Sequence, residues 1–323
     1  MKIRSILLAV VLGASLVSAP AHAVTQLSVG VAFDIGGRGD KSFNDAAAAG
    51  LEKAQKQFDF NLEAVVTDGT STDREKRIRS LITKKCNPIV AIGAGYAATL
   101  QALAVEFPNT QFAIINDASV AALNVTSVVF ADTQGAYLAG FSAAQVSKSG
   151  KVAMIANPDQ ADLYKDGFSA GVFASKKKVI PIVKYVSGSY SLATSQVLDA
   201  GADVVFAATQ GSNSEIFKVI VARNAKKKGS NIGLINIEPD QYITVTSATK
   251  RFLFASVVKR VDKAIYDVIA LSAAKRAYLD ILDEDAGIYG RRYGITGGGI
   301  EFTIRSKELA VLSDSINVAA ATA

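Results

Sequence analysis

Val29-Gly-Val-Ala-Phe-Asp-Ile-Gly-Gly-Arg-Gly-Asp-Lys-Ser-Phe-Asn44 begins as an apolar run of strand type and breaks off at Asp34. A glycine-rich turn follows, and Ser42-Phe43-Asn44 stands at the mouth of a helix, with Ser42 placed to cap it. A carboxylate at a strand end, an aromatic ring and a helix N-terminus thus converge on one edge of a sheet. In open α/β sheets that edge is where small polar ligands bind.

Outward from this stretch, apolar strands alternate with amphipathic helical segments almost without interruption, the pattern of parallel sheets. Strands are expected at Leu27–Phe33, Leu62–Val66, Ile89–Ile92 and Gln111–Ile115, with helices between them. A crossing segment, Ser127–Ala131, leads into a helix over Gln134–Ser147. The rhythm then repeats with strands at Lys151–Ile155, Val179–Val186, Val204–Ala207, Asn231–Ile235 and Phe254–Val258, a long helix over Val261–Leu279, and a glycine-rich stretch, Gly287–Gly299. The expected fold is α/β: two doubly wound lobes with a hinge and an interlobe cleft. The expected division is residues 24–120 plus 240–285 for one lobe and 121–239 plus 286–323 for the other.

The first residues bear on compartment. Lys2 and Arg4 precede an apolar core, Ile6–Leu16, too short to span a bilayer, and Ala21-His22-Ala23 has the small-x-small form of a cleavage site. A signal peptide over residues 1–23 is therefore expected, cleaved after Ala23. No cysteine follows the apolar core, so the expectation is a freely diffusing periplasmic protein without a lipid anchor. Cleavage would leave 300 of the 323 residues and lower the formal charge from +6 to +4. It would also remove the only histidine, His22, and with it any Ser-His or Cys-His pair and any imidazole metal site. Cys86 alone forms no internal disulfide and reads as a structural thiol. The lysine runs Lys176–Lys178 and Lys226–Lys228 carry no interleaved aromatics, which argues against nucleic-acid binding. No metal, cofactor or catalytic residue is expected.

Several strands end in polar residues. Asp34, Asn116-Asp117, Thr209-Gln210-Gly211-Ser212-Asn213 and Glu238-Pro239-Asp240 all follow apolar runs, and parallel strands would deliver them to one crevice. Carboxylates there can accept paired hydrogen bonds from vicinal hydroxyls or a base edge. Asp34 alone serves equally as an Asx turn. Phe43, in the first helical turn after a flexible loop, favours the cleft over the core. Phe206 reads as packing as readily as contact, and Tyr96 is either a second ring for the ligand or the cover of a helix start. Lys259, at the start of the long helix, is a surface lysine or a partner for Glu238, Asp240 or a ligand hydroxyl. The loop Gly36–Gly39 lacks the Gly-Lys-Ser/Thr ending of a phosphate loop and is flanked by Asp34 and Asp40, so a neutral ligand fits better.

The same residues resemble the basic membrane protein, or purine nucleoside receptor A, family of binding proteins. Asp34-Ile-Gly-Gly with Asp40-Lys-Ser-Phe-Asn44 is similar to its opening signature, and Phe130–Gly140 to its crossover block. Gly167-Phe168, Ala200–Val204, Asp240-Gln241, Ser256–Lys259 and Tyr293–Gly298 follow in family order. The resemblance implies a type I periplasmic binding protein-like fold. It implies a monomer that captures a purine nucleoside for an ABC permease in the inner membrane. Phe43 would then stack on the base; Asp34, Asn44 and Asp117 would hydrogen-bond the ligand; Glu238, Asp240 and Lys259 would hold the ribose. Glu238 replaces the family's usual Asp, and Gln210 stands in a loop where the family favours glycine. A free base, a sugar or a modified nucleoside therefore stays open as ligand, as does a sensory role or, further off, an exported nucleoside hydrolase.

Overall fold

The structure, a computed structural model, describes residues 26–158, 161–209, 213–226, 230–237, 242 and 245–323. In the first lobe β1 (Leu27–Phe33), α1 (Phe43–Gln55), β2 (Phe60–Val66), α2 (Ser71–Thr83), β3 (Ile89–Ile92), α3 (Ala97–Glu106), β4 (Phe112–Ile115) and β5 (Val125–Phe130) follow one another. The chain then crosses to the second lobe. There it forms α4 (Asp132–Val146), β6 (Lys151–Ala156), α5 (Ala161–Ala174), β7 (Ile180–Tyr185), α6 (Tyr190–Asp199), β8 (Val204–Ala208), α7 (Ser214–Lys226), β9 (Gly233–Ile237), α8 (Ser247–Lys250) and β10 (Leu253–Lys259). It returns through α9 (Val261–Ala273), β11 (Asp280–Asp283) and β12 (Ile288–Tyr293), and ends in the second lobe with β13 (Ile300–Ile304), α10 (Lys307–Ala310) and α11 (Ser313–Ala320).

The first sheet has the order β11-β12-β5-β4-β3-β1-β2 and the second β13-β10-β9-β8-β6-β7. All neighbours pair in parallel except β11 with β12 and β10 with β13. Burial on both faces explains the unbroken apolar strands: β3 and β4 are buried at every residue. In β1, Val29, Val31 and Phe33 pack on the α1–α9 side and Ala32 on the α2–α3 side. In the second lobe, α4 and α5 pack closely because Gly140 has no side chain; a Cβ there would lie 2.1 Å from the Phe168 carbonyl oxygen. One apolar core runs from α1 and α9 through the crossings to α4 and α5, so the lobes share it.

Three crossings join the lobes, at Ala131, at Arg260 and over Gly294–Gly299. They are stitched together: the Ala131 N–H donates to the Tyr293 carbonyl (2.8 Å) and the Arg260 N–H to that of Gly299 (2.9 Å). The Arg260 guanidinium is bidentate on Asp262 (2.8 and 2.7 Å) and reaches Glu301 (3.2 Å).

The expected division therefore shifts. Residues 125–130 are a central strand of the first sheet, not a crossing segment, and 288–293 return to that sheet. The α8 and β10 elements stay in the second lobe, so that crossing falls at Arg260 rather than near 240. Thr126 and Ser127 interrupt the apolar pattern of β5, yet Ser127 is fully buried. The helix expected to reach Leu279 stops at Ala273, where Lys275 takes a left-handed backbone (φ 55°) and the chain turns into β11. Cys86 is buried beside the Ser28 hydroxyl (3.8 Å), and burial pushes its thiol up, as a structural thiol requires.

Candidate functional site

In the first sheet the chain goes from β1 outward to β2 and then back to β3 on the other side of β1. Such a reversal leaves a crevice at the strands' carboxyl ends. A cavity of about 400 Å³ lies there, lined by Asp34, Phe43, Asn44, Gly93, Gly95 and Asn116 among others. The second sheet reverses in the same way between β6 and β8.

Asp34 ends β1, and its Oδ1 accepts from Arg74 Nη2 at 2.8 Å; the two side chains are 33% and 13% exposed. Arg74 arrives from α2, donates also to the Gly69 carbonyl (2.6 Å), and lies over the Tyr96 ring at 5.5 Å. Tyr96 is fully buried behind this pair and donates its hydroxyl to the Phe33 carbonyl at 2.8 Å; burial pushes its ionisation upward. Opposite, Gly93 has φ 103°, and a Cβ there would approach Asp34 Oδ2 to 3.0 Å. Glycine thus leaves that carboxylate oxygen uncovered.

Asn44 holds the turn. Its Oδ1 accepts from the Asp34 N–H (3.1 Å), while Nδ2 donates to the Asp34 and Ile35 carbonyls (3.4 and 3.3 Å). The cap expected of Ser42 is made by Asp40 instead. Asp40 Oδ1 accepts from the N–H groups of Ser42 (2.8 Å) and Asp45 (3.1 Å), and Oδ2 from that of Asn44 (2.9 Å). Ser42 makes no side-chain cap bond, because Asp40 already occupies the helix start. Asp45 in turn accepts from Gly39 (2.6 Å) and Lys41 (3.0 Å). Two carboxylates therefore occupy the N–H groups a phosphate would need. Phe43, half-buried, lines the cavity and also packs against the apolar core.

Lys259, from the second lobe, reaches the cavity residue Asn116 without lining the cavity itself. It is 1% exposed at the end of β10, and its Nζ lies 2.9 Å from Asp132 Oδ1. It also donates to the Tyr164 hydroxyl (3.1 Å) and to Asn116 Oδ1 (3.3 Å), the latter across the lobes. Asn116 takes a left-handed backbone (φ 68°), which places it on the cavity and turns the next residue away.

Of the expected ligand contacts, Asp34, Ser42, Phe43 and Asn44 line the cavity together. Asp117 does not: its Oδ1 accepts from the N–H and hydroxyl of Ser119 (2.8 and 2.6 Å) in an Asx turn, and Asn116 takes the place on the cavity wall. Tyr96 and Phe206 are core residues. Phe206 stacks on Phe168 (5.8 Å between centroids, 15°) and meets Tyr164 edge-on (6.4 Å, 76°). Gln210, Glu238 and Asp240 lie outside the described residues. Arg74 and Tyr164 carried no signal of their own; Asp132 stands in the crossover block and was visible only there.

Two doubly wound lobes joined by several crossings, with polar strand ends meeting a cavity, form a fold able to hold a small solute. The chain matches the Bmp family, described as "ABC transporter substrate-binding protein PnrA-like", over residues 27–316, and it belongs to that family. It is similar to the "CD4+ T-cell-stimulating antigen" of Listeria innocua, 28% identical over 77% of this chain and 74% of the relative. It is likewise similar to the "ABC transporter nucleoside-binding protein BmpA" of Lactococcus lactis, 26% identical over 76% of this chain and 74% of the relative. Among solved structures, an ABC transporter solute-binding protein from Aeropyrum pernix shares the fold, with TM-score 0.67 and 21% identity, covering 92% of this chain and 80% of that one. No helix among the described residues is long and apolar enough to cross a membrane.

Proposed function

We propose that this chain is the exported, monomeric receptor of an ABC importer that captures a purine nucleoside between its lobes and hands it to the permease. The carrying observation is that a half-buried aromatic residue, Phe43, and a carboxylate, Asp34, whose charge Arg74 already balances, line one cavity. Such a wall suits a neutral ligand with a flat face and hydrogen-bonding edges. Base stacking contributes about 1–3 kcal/mol. Asp34 Oδ2 and Asn116 supply polar partners on the same cavity. The name of the Lactococcus relative supports the same ligand class. A ligand that touches both lobes stabilises the closed form by the contacts it makes only there. Lys259 to Asn116 is an existing bond across that divide.

A thermal-shift screen of residues 24–323 against adenosine, guanosine, inosine, free bases and sugars tests this. A ligand at about 100 times its dissociation constant adds about 2.7 kcal/mol. At least one purine nucleoside is expected to raise the melting temperature, Phe43→Ala to abolish the rise, and chromatography to recover the nucleoside intact. A shift by sugars or bases alone, or release of free base, overturns the reading.

A further inference from the structure

The lysine run Lys176–Lys178 takes no part in the site, and the fold gives it neighbours of its own kind. It joins α5 to β7, and the loop Lys148–Gly150 joins α4 to β6, the adjacent strand. The two loops touch: the Ile180 N–H donates to the Gly150 carbonyl at 2.9 Å. Lys226 ends α7 before β9, and Lys307 follows β13, which runs antiparallel to β10 and so finishes at the same end. Lys148, Lys176, Lys177, Lys178, Lys226 and Lys307 are all exposed. They lie along one pole of the second lobe, at the amino ends of its parallel strands, opposite the end where Lys259 meets the first lobe. Six strands at a spacing of about 4.8 Å make that edge about 24 Å wide.

The carboxylates at this pole are engaged elsewhere or stand apart. Asp203 accepts from the Ser147 hydroxyl (2.7 Å) and from the Lys148 and Ser149 N–H groups (2.6 and 2.8 Å). Asp199 pairs with Arg223 (2.7 Å), Glu308 accepts from Asn231 (2.9 Å), and Asp314 stands at the start of α11. Among the described residues, no carboxylate lies within ion-pair distance of any of the six lysines. Apolar side chains stand among these charges: Phe173, one turn before the run, is 87% exposed, Ile180 60% and Val311 83%. Exposed aromatic and aliphatic groups beside hydrated cations suit a bilayer interface, where lysines meet lipid phosphates and the ring enters the headgroup region. Lysine is a compact point charge without arginine's bidentate fork, suited to a field of phosphates rather than to a single bound one. A nucleic-acid strand would require rings interleaved with the cations, and here the ring precedes the run.

We infer that this pole docks the protein on an anionic phospholipid bilayer, with the ligand cavity at the other end of the lobe left open to solute. The inference is independent of which solute that cavity takes.

Co-sedimentation of residues 24–323 with vesicles of phosphatidylglycerol and phosphatidylcholine in equal parts, or of phosphatidylcholine alone, tests it. Binding is expected to the anionic vesicles only, and to be lost in salt of about 0.5 M, where surface charge is screened within a few ångströms. Replacing Lys176, Lys177 and Lys178 together by glutamine should weaken it about a hundredfold, and Phe173→Ser about tenfold. The same charge removed from exposed positions of the first lobe (Lys56→Gln, Lys85→Gln and Lys275→Gln together) should leave binding within about threefold. All these variants should melt with the parent, since each position is exposed. Equal binding to both kinds of vesicle, no binding to either at low salt, or equal losses for the two triple variants overturns the inference. Unchanged binding by Phe173→Ser, or tighter binding to single-stranded DNA than to vesicles, overturns the bilayer in favour of a purely ionic partner.

Discussion

The two strand-end mouths are built from different materials. In the first lobe the mouth is charged: Asp34 with Arg74 at the edge of water, and Asp40 and Asp45 holding backbone N–H groups. In the second lobe, the described residues at the ends of β8 and β9 are neutral. Thr209 bonds Asn213, Asn213 bonds Asn236, and Asn236 donates to the Ile237 carbonyl at 3.0 Å, all of them buried. Beneath them Phe206 stacks on Phe168. The second lobe's buried cation, Lys259, faces the crossing rather than this chain of amides. Charge near water costs little and remains open to a ligand; charge at 1% exposure is held by the fold itself. The charge of the first mouth is thus open to a ligand, while Lys259 of the second lobe is bonded across the lobes.

The sharpest way to break that contrast is Lys259→Met. It leaves Asp132, 14% exposed, without its ion-pair partner, and Asn116 without its bond across the lobes. A loss of about 3–5 kcal/mol is expected in denaturant unfolding. Adding Asp132→Asn should recover a substantial part of it, because the stranded charge is then gone. A double variant as unstable as the single one would show that the ion pair is not the source.

Arg74→Met is the matched change in the first lobe. Water can reach Asp34, so a stability loss of about 1–3 kcal/mol is expected, less than for Lys259→Met. Nucleoside affinity should fall about tenfold, because an unbalanced carboxylate must then be desolvated by the ligand. Equal stability losses at the two positions would erase the distinction between a gripping charge and a structural one.

Parts of this contrast were readable in the sequence. The β1 and β3 boundaries follow directly from their apolar runs, since strands buried on both faces show no alternation to confuse their ends. Asp34, Phe43 and Asn44 were recognisable because one short stretch carries all three to the same edge. Arg74 was not, because it sits among Asp73, Glu75, Lys76, Arg77 and Arg79 in a helix where every charge resembles a solvated one. The exchange of Asp117 for Asn116 turned on a single left-handed residue, which no hydrophobic pattern reveals. β5 was obscured by the polarity of Thr126 and Ser127, although the sheet buries Ser127 completely.

The smallest effect tests how the gripping mouth is held. Asp40→Ala releases three N–H groups at the start of α1 and should cost about 1–2 kcal/mol. Ser42→Ala, at the position where a cap is conventionally sought, removes no cap bond and should change stability by about 0.5 kcal/mol or less. Asp40 also lines the ligand cavity, so its loss should loosen the placement of Phe43 and weaken nucleoside binding beyond the stability change. If the two alanine variants unfold at the same denaturant concentration, the helix start is not carried by Asp40. The charged mouth would then owe its rigidity to Asn44 and Asp45 alone.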